Sequence, residues 1–359
     1  MDRRHEHAER TCLLIRHTLQ IRDTNSRLDV CFEGSNLCVT SKRGPTNYTA
    51  MLPAMLTTVL FAISAVSASR MAKILGGIEA NFWRITLATC LLGLWAHSFG
   101  KGFSGNAFSF FLLSGCVGFG IGDLALYQAL PKLGSRLTIL LVHCFAAISG
   151  GVVEWAWLGT KLSSLQMLWS ATILIGVSLA LAPSKHLGLS RGDLITGVLY
   201  GIVGGFGQGF GAVLSRKAYQ LTELSGESID GMSAAYQRII AGWLVAGISF
   251  IVLKQRRRWT QVKETSGDQT ARSLSEASKW NRAWYWVVIN AIAGPTLGVS
   301  CFQWALAGTP TAIVLPIVAT TPLVVIPFAR LVEGEQPTTR SVIGGMIAVA
   351  GAIALAIVR

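Results

Sequence analysis

Asp123, His143 and Glu154 are titratable side chains set within long apolar stretches of this chain. A charge at membrane depth costs at least about 2.5–3.5 kcal/mol, so such groups face a partner or a water-filled cavity. Asp123 has two readings: a carboxylate that couples proton or substrate movement, or one paired with a neighbouring helix for packing alone. Tyr127 lies one helical turn further on, on the same face. His143 and Glu154 are eleven residues apart, and eleven steps of about 100° return to within about 20° of the start. Ala147 and Gly150 lie between them on that face, which is small and polar, as a cavity wall is. Glu154 is also close enough to the end of its stretch to reach the headgroups. Asp123 and His143, with Gln208 near mid-stretch and Gln303, are the candidates for solute contact or proton coupling. Arg84 and Arg238 open their apolar stretches and so are expected toward opposite faces. Each either snorkels to lipid phosphates or holds a charge near one mouth of a pathway, where it attracts an anion. The chain has no Walker A sequence, GxSxG elbow or HExxH pair, so no catalytic residue, cofactor or metal is expected, and a gradient-driven process is favoured over ATP hydrolysis.

Helices must carry these side chains. Of 359 residues, 51% are hydrophobic and only 14% charged, with a mean hydropathy of +0.50; a soluble domain carries about a quarter charged residues. Apolar runs of roughly 20 residues, enough to cross ~30 Å of hydrocarbon, fall near 51–69, 82–98, 107–129, 137–158, 165–183, 194–215, 233–253, 284–306, 311–329 and 340–358. They lack the period of two that barrel strands require. The net charge of +13 does not indicate nucleic acid. Eight of the 31 Lys and Arg lie in residues 1–50 and eight in 254–282, outside the apolar runs, as charge sorting across a membrane produces. The seven cysteines form no CxxC pair, which argues against a disulfide framework or a zinc site. Residues 1–50 are polar, irregular and basic, without a signal-peptide pattern. Met51 opens the first run, so this tail is either a genuine, disordered segment or the product of a misassigned start codon.

The chain repeats itself. Ser69-Arg70 ends the first run and Ser215-Arg216 the sixth; Ala80–Ile85 opens the second and Ala234–Ile239 the seventh. Gly118, Gly122 and Leu126–Leu130 in the third match Gly294, Gly298 and Phe302–Leu306 in the eighth at one constant offset, and Gly176 in the fifth matches Gly351 in the tenth. Five runs per unit is an odd number, so the second unit must cross the membrane in the opposite sense. Inverted repeats of this kind enclose a midplane site and rock around it. The sixth run carries Gly197, Gly201, Gly205 and Gly209 at i, i+4 spacing, with Gly204, Gly207 and Gly211 beside them, which favours close helix packing. The ninth carries Pro310, Pro316, Pro322 and Pro327, whose freed carbonyls Thr320 and Thr321 can re-satisfy.

The repeat resembles the EamA domain of the drug/metabolite transporter superfamily. The resemblance is carried by Arg84 and Arg238, by Leu133-Gly134-Ser135 against Gly308–Thr311, and by Val332–Thr338 leading into Gly344 and Gly351. It covers about residues 51–358. The chain departs from the family at Thr160, where the family often has Glu, and in a long 254–283 loop. The resemblance implies a carrier of small metabolites or drugs.

The expected protein is thus all-α and integral to the membrane, with ten transmembrane helices as two inverted five-helix repeats, 51–183 and 194–358. Its expected function is secondary transport by alternating access, in a bacterial inner membrane and not as an enzyme. The bilayer and a small solute are its expected partners, with protons as candidate coupling ions, a homodimer as candidate assembly and no nucleic acid. The alternatives are a membrane enzyme or flippase acting on lipid-linked intermediates, which would need titratable residues clustered at one interface, and a sensor subunit, which would need a soluble signalling domain.

Overall fold

The computed structural model describes residues 19–24, 27–32, 38–42, 47–181, 190–261, 269–333 and 339–357. Outside them lie the rest of the tail, the linker 182–189, part of the long loop (262–268), the 334–338 portion of the Val332–Thr338 motif, and the last two residues.

Two compact units divide the chain at residues 49 and 50. The first contains three strands, β1 (Leu19–Thr24), β2 (Arg27–Phe32) and β3 (Cys38–Lys42), paired as an antiparallel meander. Ile21 pairs with Val30, and Val30 with Val39. The tail therefore departs from the irregular segment expected. Its apolar residues alternate (Leu19, Ile21; Leu28, Val30, Phe32) with the period of a strand.

The second unit is helical. Its elements are α1 (Asn47–Leu75), α2 (Gly77–Ser98), α3 (Phe108–Gly115), α4 (Asp123–Val153), α5 (Ser164–Leu181), α6 (Arg191–Leu224), α7 (Gly231–Gln261), α8 (Gln269–Ala291), α9 (Val299–Gly308), α10 (Thr311–Val318), α11 (Thr321–Glu333) and α12 (Thr339–Ile357). Three π-helical stretches interrupt them: π1 (Cys116–Gly122), π2 (Glu154–Leu158) and π3 (Ile292–Gly298). Among the described residues six helices are long and apolar enough to cross a membrane, and two shorter apolar helices, Ser164–Leu179 and Ile343–Leu355, accompany them. One of the six, Phe108–Leu158, has 51 residues. At 1.5 Å per residue it would measure about 75 Å, more than twice the hydrocarbon thickness. It bends within α4 at Gly134, whose φ of 75° and ψ of 173° only glycine adopts without strain. Gly76, at φ 87°, makes the corresponding turn between α1 and α2.

Small residues let these helices touch. The Gly197–Gly209 row of α6 lies against Leu133, Leu141, Phe145 and Ser149 of α4, while Gly204, Gly207 and Gly211 face Gly122, Gly118 and Ser114 across π1. The row thus serves close packing on two neighbours at once. Gly176 of α5 meets Ala348 and Gly344 of α12, and Gly351 meets Ile173 in return. Outward faces are apolar as well, with Leu94, Ile175, Ile248 and Met346 all exposed; these suit lipid, not water.

Two expectations about loops change. The proline-rich ninth run is two helices, α10 and α11, separated at Ala319–Thr320; Thr320 and Thr321 hydroxyls donate to the Ile317 and Val318 carbonyls at 2.7 and 2.6 Å. Much of the 254–283 loop is helix, because no Gly or Pro interrupts the end of α7 or the start of α8.

Candidate functional site

Helix starts decide where the two arginines sit. α2 begins at Gly77, after the Gly76 turn, and α7 begins at Gly231, behind Asp230, whose carboxylate accepts the Met232 and Ser233 amides at 2.9 Å each. Both starts precede the apolar runs read from the sequence, so Arg84 and Arg238 each lie about two turns inside a helix. They are 5% and 2% exposed. Neither snorkels, and they do not part toward opposite faces: both line one cavity between the helices, about 800 Å³ including its mouth.

That cavity gathers most of the expected polar residues: Arg84, Asp123, Tyr127, His143, Gln208 and Arg238 all line it. Arg84 forms an ion pair with Asp123 Oδ2. Its Nε donates to Asn81 Oδ1 at 3.0 Å, and its guanidinium lies 4.5 Å from the Tyr127 ring centre. Gln208 Nε2 donates to Asp123 Oδ1 at 2.6 Å and to the Gly118 carbonyl at 3.2 Å. Both carboxylate oxygens are thereby occupied. The Tyr127 hydroxyl donates to Asn290 Oδ1 at 3.2 Å, and Asn290 Nδ2 donates to Ser64 O at 2.6 Å and Ser64 Oγ at 3.0 Å. His143 faces the Phe61 ring, 6.0 Å between centres. Arg238 lies over the Phe119 ring at 5.3 Å.

The π stretches set the register of this polar ring. The Asp123 amide donates to the carbonyl of Gly118, five residues back. The Val299 amide does the same with Gly294. π1 and π3 stand at the offset that relates the third and eighth runs, so the same irregularity occurs twice. π-helical turns recur where a helix must present a functional group.

Two expected site residues lie elsewhere. Glu154 does not line the cavity and does not reach outward; it is wholly buried, and its carboxylate accepts the Thr311 amide at 3.0 Å and the Ala312 amide at 2.7 Å, capping α10. A carboxylate suits that position because a helix N-terminus leaves its first amides without intrahelical acceptors. Gln303 is fully buried outside the cavity lining, and both its amide atoms lack a hydrogen-bond partner. Sequence reasoning missed Asn81, which orients Arg84, and Asn290, which holds Tyr127. Each is a lone amide beside apolar residues, the signal that singled out Gln208. Among the described residues no three His, Cys, Asp or Glu side chains group closely enough to hold a metal ion.

These features define an integral, multi-pass membrane protein with a polar site enclosed by helices. The sequence profile of the EamA-like transporter family matches residues 48–182 and again residues 195–357. The chain belongs to that family, whose members are transporters, not enzymes, and it contains the domain twice. A solved crystal structure, whose description carries no functional information, shares the fold: TM-score 0.60, 14% sequence identity, with 85% of this chain and 95% of that one covered. No functionally curated protein matches the sequence.

Proposed function

We propose that this protein is a gradient-driven carrier of a small organic solute, working by alternating access through ten crossings arranged as two oppositely oriented five-helix units. The observation that carries the reading is the cavity. Arg84 and Asp123 come from the first repeat, Arg238 and Gln208 from the second, and the π stretches that flank them recur at one offset. A site made jointly by two repeats changes its accessibility when the repeats rock against each other. Glu154 supports the same picture: it belongs to the first repeat and caps α10 of the second, accepting the Thr311 and Ala312 amides.

Two measurements test it. Purified protein in liposomes should move a solute down an imposed gradient without ATP; failure over a broad panel of amino acids, organic acids, nucleosides and cationic drugs overturns the transport reading. Single cysteines replacing Lys73 and Ser225, in a background without native cysteines, should be labelled from opposite sides of the membrane. Labelling from the same side removes the antiparallel relationship.

A further inference from the structure

Among the charged groups of the cavity, one is left without a counter-charge. Arg84 is committed to Asp123 and Asn81, and Asp123 spends its two oxygens on Arg84 and Gln208. Arg238 is 2% exposed, yet among the described residues its guanidinium makes no hydrogen bond or ion pair; its Nε is buried without a partner and the group rests on Phe119. A cation–π contact is worth far less than a charge-assisted, two-pronged hydrogen bond to a carboxylate. Two guanidinium groups against one carboxylate leave one positive charge without a counter-charge. Most of the remaining wall is apolar, including Phe61, Leu126, Val142, Phe302 and Leu315.

We infer that the cavity binds an organic monocarboxylate with an apolar, ring-sized body, its carboxylate on Arg238 and its body against Phe119 and Phe302. This rests on the transport reading and names its substrate class. A cation would meet two guanidinium groups and a single carboxylate that is already paired with Arg84. A phosphomonoester brings two negative charges to one free cation. An uncharged solute leaves Arg238 as it is.

The test is direct binding to the purified full-length protein by calorimetry, with phenylacetate, its neutral amide, phenethylamine and phenyl phosphate, alongside acetate and indole-3-acetate. Phenylacetate should bind at least about tenfold more tightly than the amide, the scale of one charge-assisted pair, and the amine and the phosphate should bind more weakly than phenylacetate. Arg238→Gln should bring phenylacetate to within about twofold of the amide, and Arg238→Lys should keep part of the preference. The inference is overturned if the amide, the amine or the phosphate binds as tightly as phenylacetate, or if no carboxylate in the series binds. If Arg238→Gln does not fold, the wild-type preference and Arg238→Lys decide. Binding without flux in liposomes would count against transport and leave the site standing. Flux of a neutral or cationic solute that ignores Arg238 would do the reverse.

Discussion

Arg84 and Arg238 stand at matching places in the two repeats, each about two turns into its helix and each reaching toward a glycine of the other repeat's π stretch. A Cβ on Gly294 would lie 3.8 Å from Arg84 Nη1, and a Cβ on Gly118 only 2.8 Å from Arg238 Nη2. Gly118 and Gly294 themselves correspond. The residues after the two π stretches also correspond, and here the repeats part: Asp123 in the first, Val299 in the second, both lining the cavity. A second difference follows the same line. Glu154 is in the first repeat, and the same offset falls on Arg330 in the second. Among the described residues, both buried carboxylates thus belong to one half. Both halves keep the π stretch ahead of this position, while the charges after it diverged, so the cavity is lopsided in charge.

The most damaging way to break this contrast is to make the first repeat like the second. Asp123→Val leaves Arg84 without its counter-charge inside the protein. Removing one member of a buried pair costs about 3–5 kcal/mol, whereas replacing both by apolar groups is often close to neutral. Asp123→Val should therefore lower the unfolding free energy by that amount in a mixed-micelle denaturant titration, and Arg84→Met with Asp123→Val should recover most of it. A double variant as unstable as the single would mean that Arg84 is held by Asn81 and Tyr127, not by Asp123.

The reverse change sharpens the contrast. Val299→Asp places a second carboxylate where the repeat predicts one, in the cavity that Arg238 also lines. It should weaken phenylacetate binding by about tenfold or more and raise the unfolding free energy, because it gives the buried Arg238 the counter-charge it lacks. Unchanged affinity would mean that the two π stretches do not aim their following residues alike.

Much of this arrangement was legible in the sequence, and the parts that were not share a cause. Hydropathy marked the apolar helices, and the constant offset between Gly118–Leu130 and Gly294–Leu306 marked the repeat. The depth of the arginines was not read, since depth depends on where a helix begins. The signals existed in Gly76-Gly77 and in Asp230, an N-cap residue ahead of Met232 and Ser233, but they precede the apolar runs. The π stretches were hidden because Gly-rich apolar segments look alike in α and π form. The length of the 254–283 loop was overestimated because charge ended the apolar run without ending the helix. Glu154 was misplaced for a different reason. Its eleven-residue relation to His143 is real, but its partners are backbone amides of α10, and no side-chain pattern announces a backbone amide.

Glu154 also provides the mildest test, and the one nearest to motion. The carboxylate gathers two amides of α10, and its charge opposes the positive end of that helix. Glu154→Gln keeps one accepting oxygen and turns the other site into a donor facing an N–H group, so one hydrogen bond and the charge are lost together. The expected loss is about 1–2 kcal/mol, a smaller shift in the same titration than Asp123→Val gives. Arg216, whose charge interacts with that of Glu154, loses that interaction in the same variant. If the cap also holds one end of the pathway shut, a cysteine introduced at Ala147, buried on α4 one turn past His143, should be labelled faster from the α9–α10 side in Glu154→Gln than in the otherwise unaltered protein. Faster labelling from the opposite side, or no change with the stability loss as expected, would make Glu154 a helix cap and nothing more.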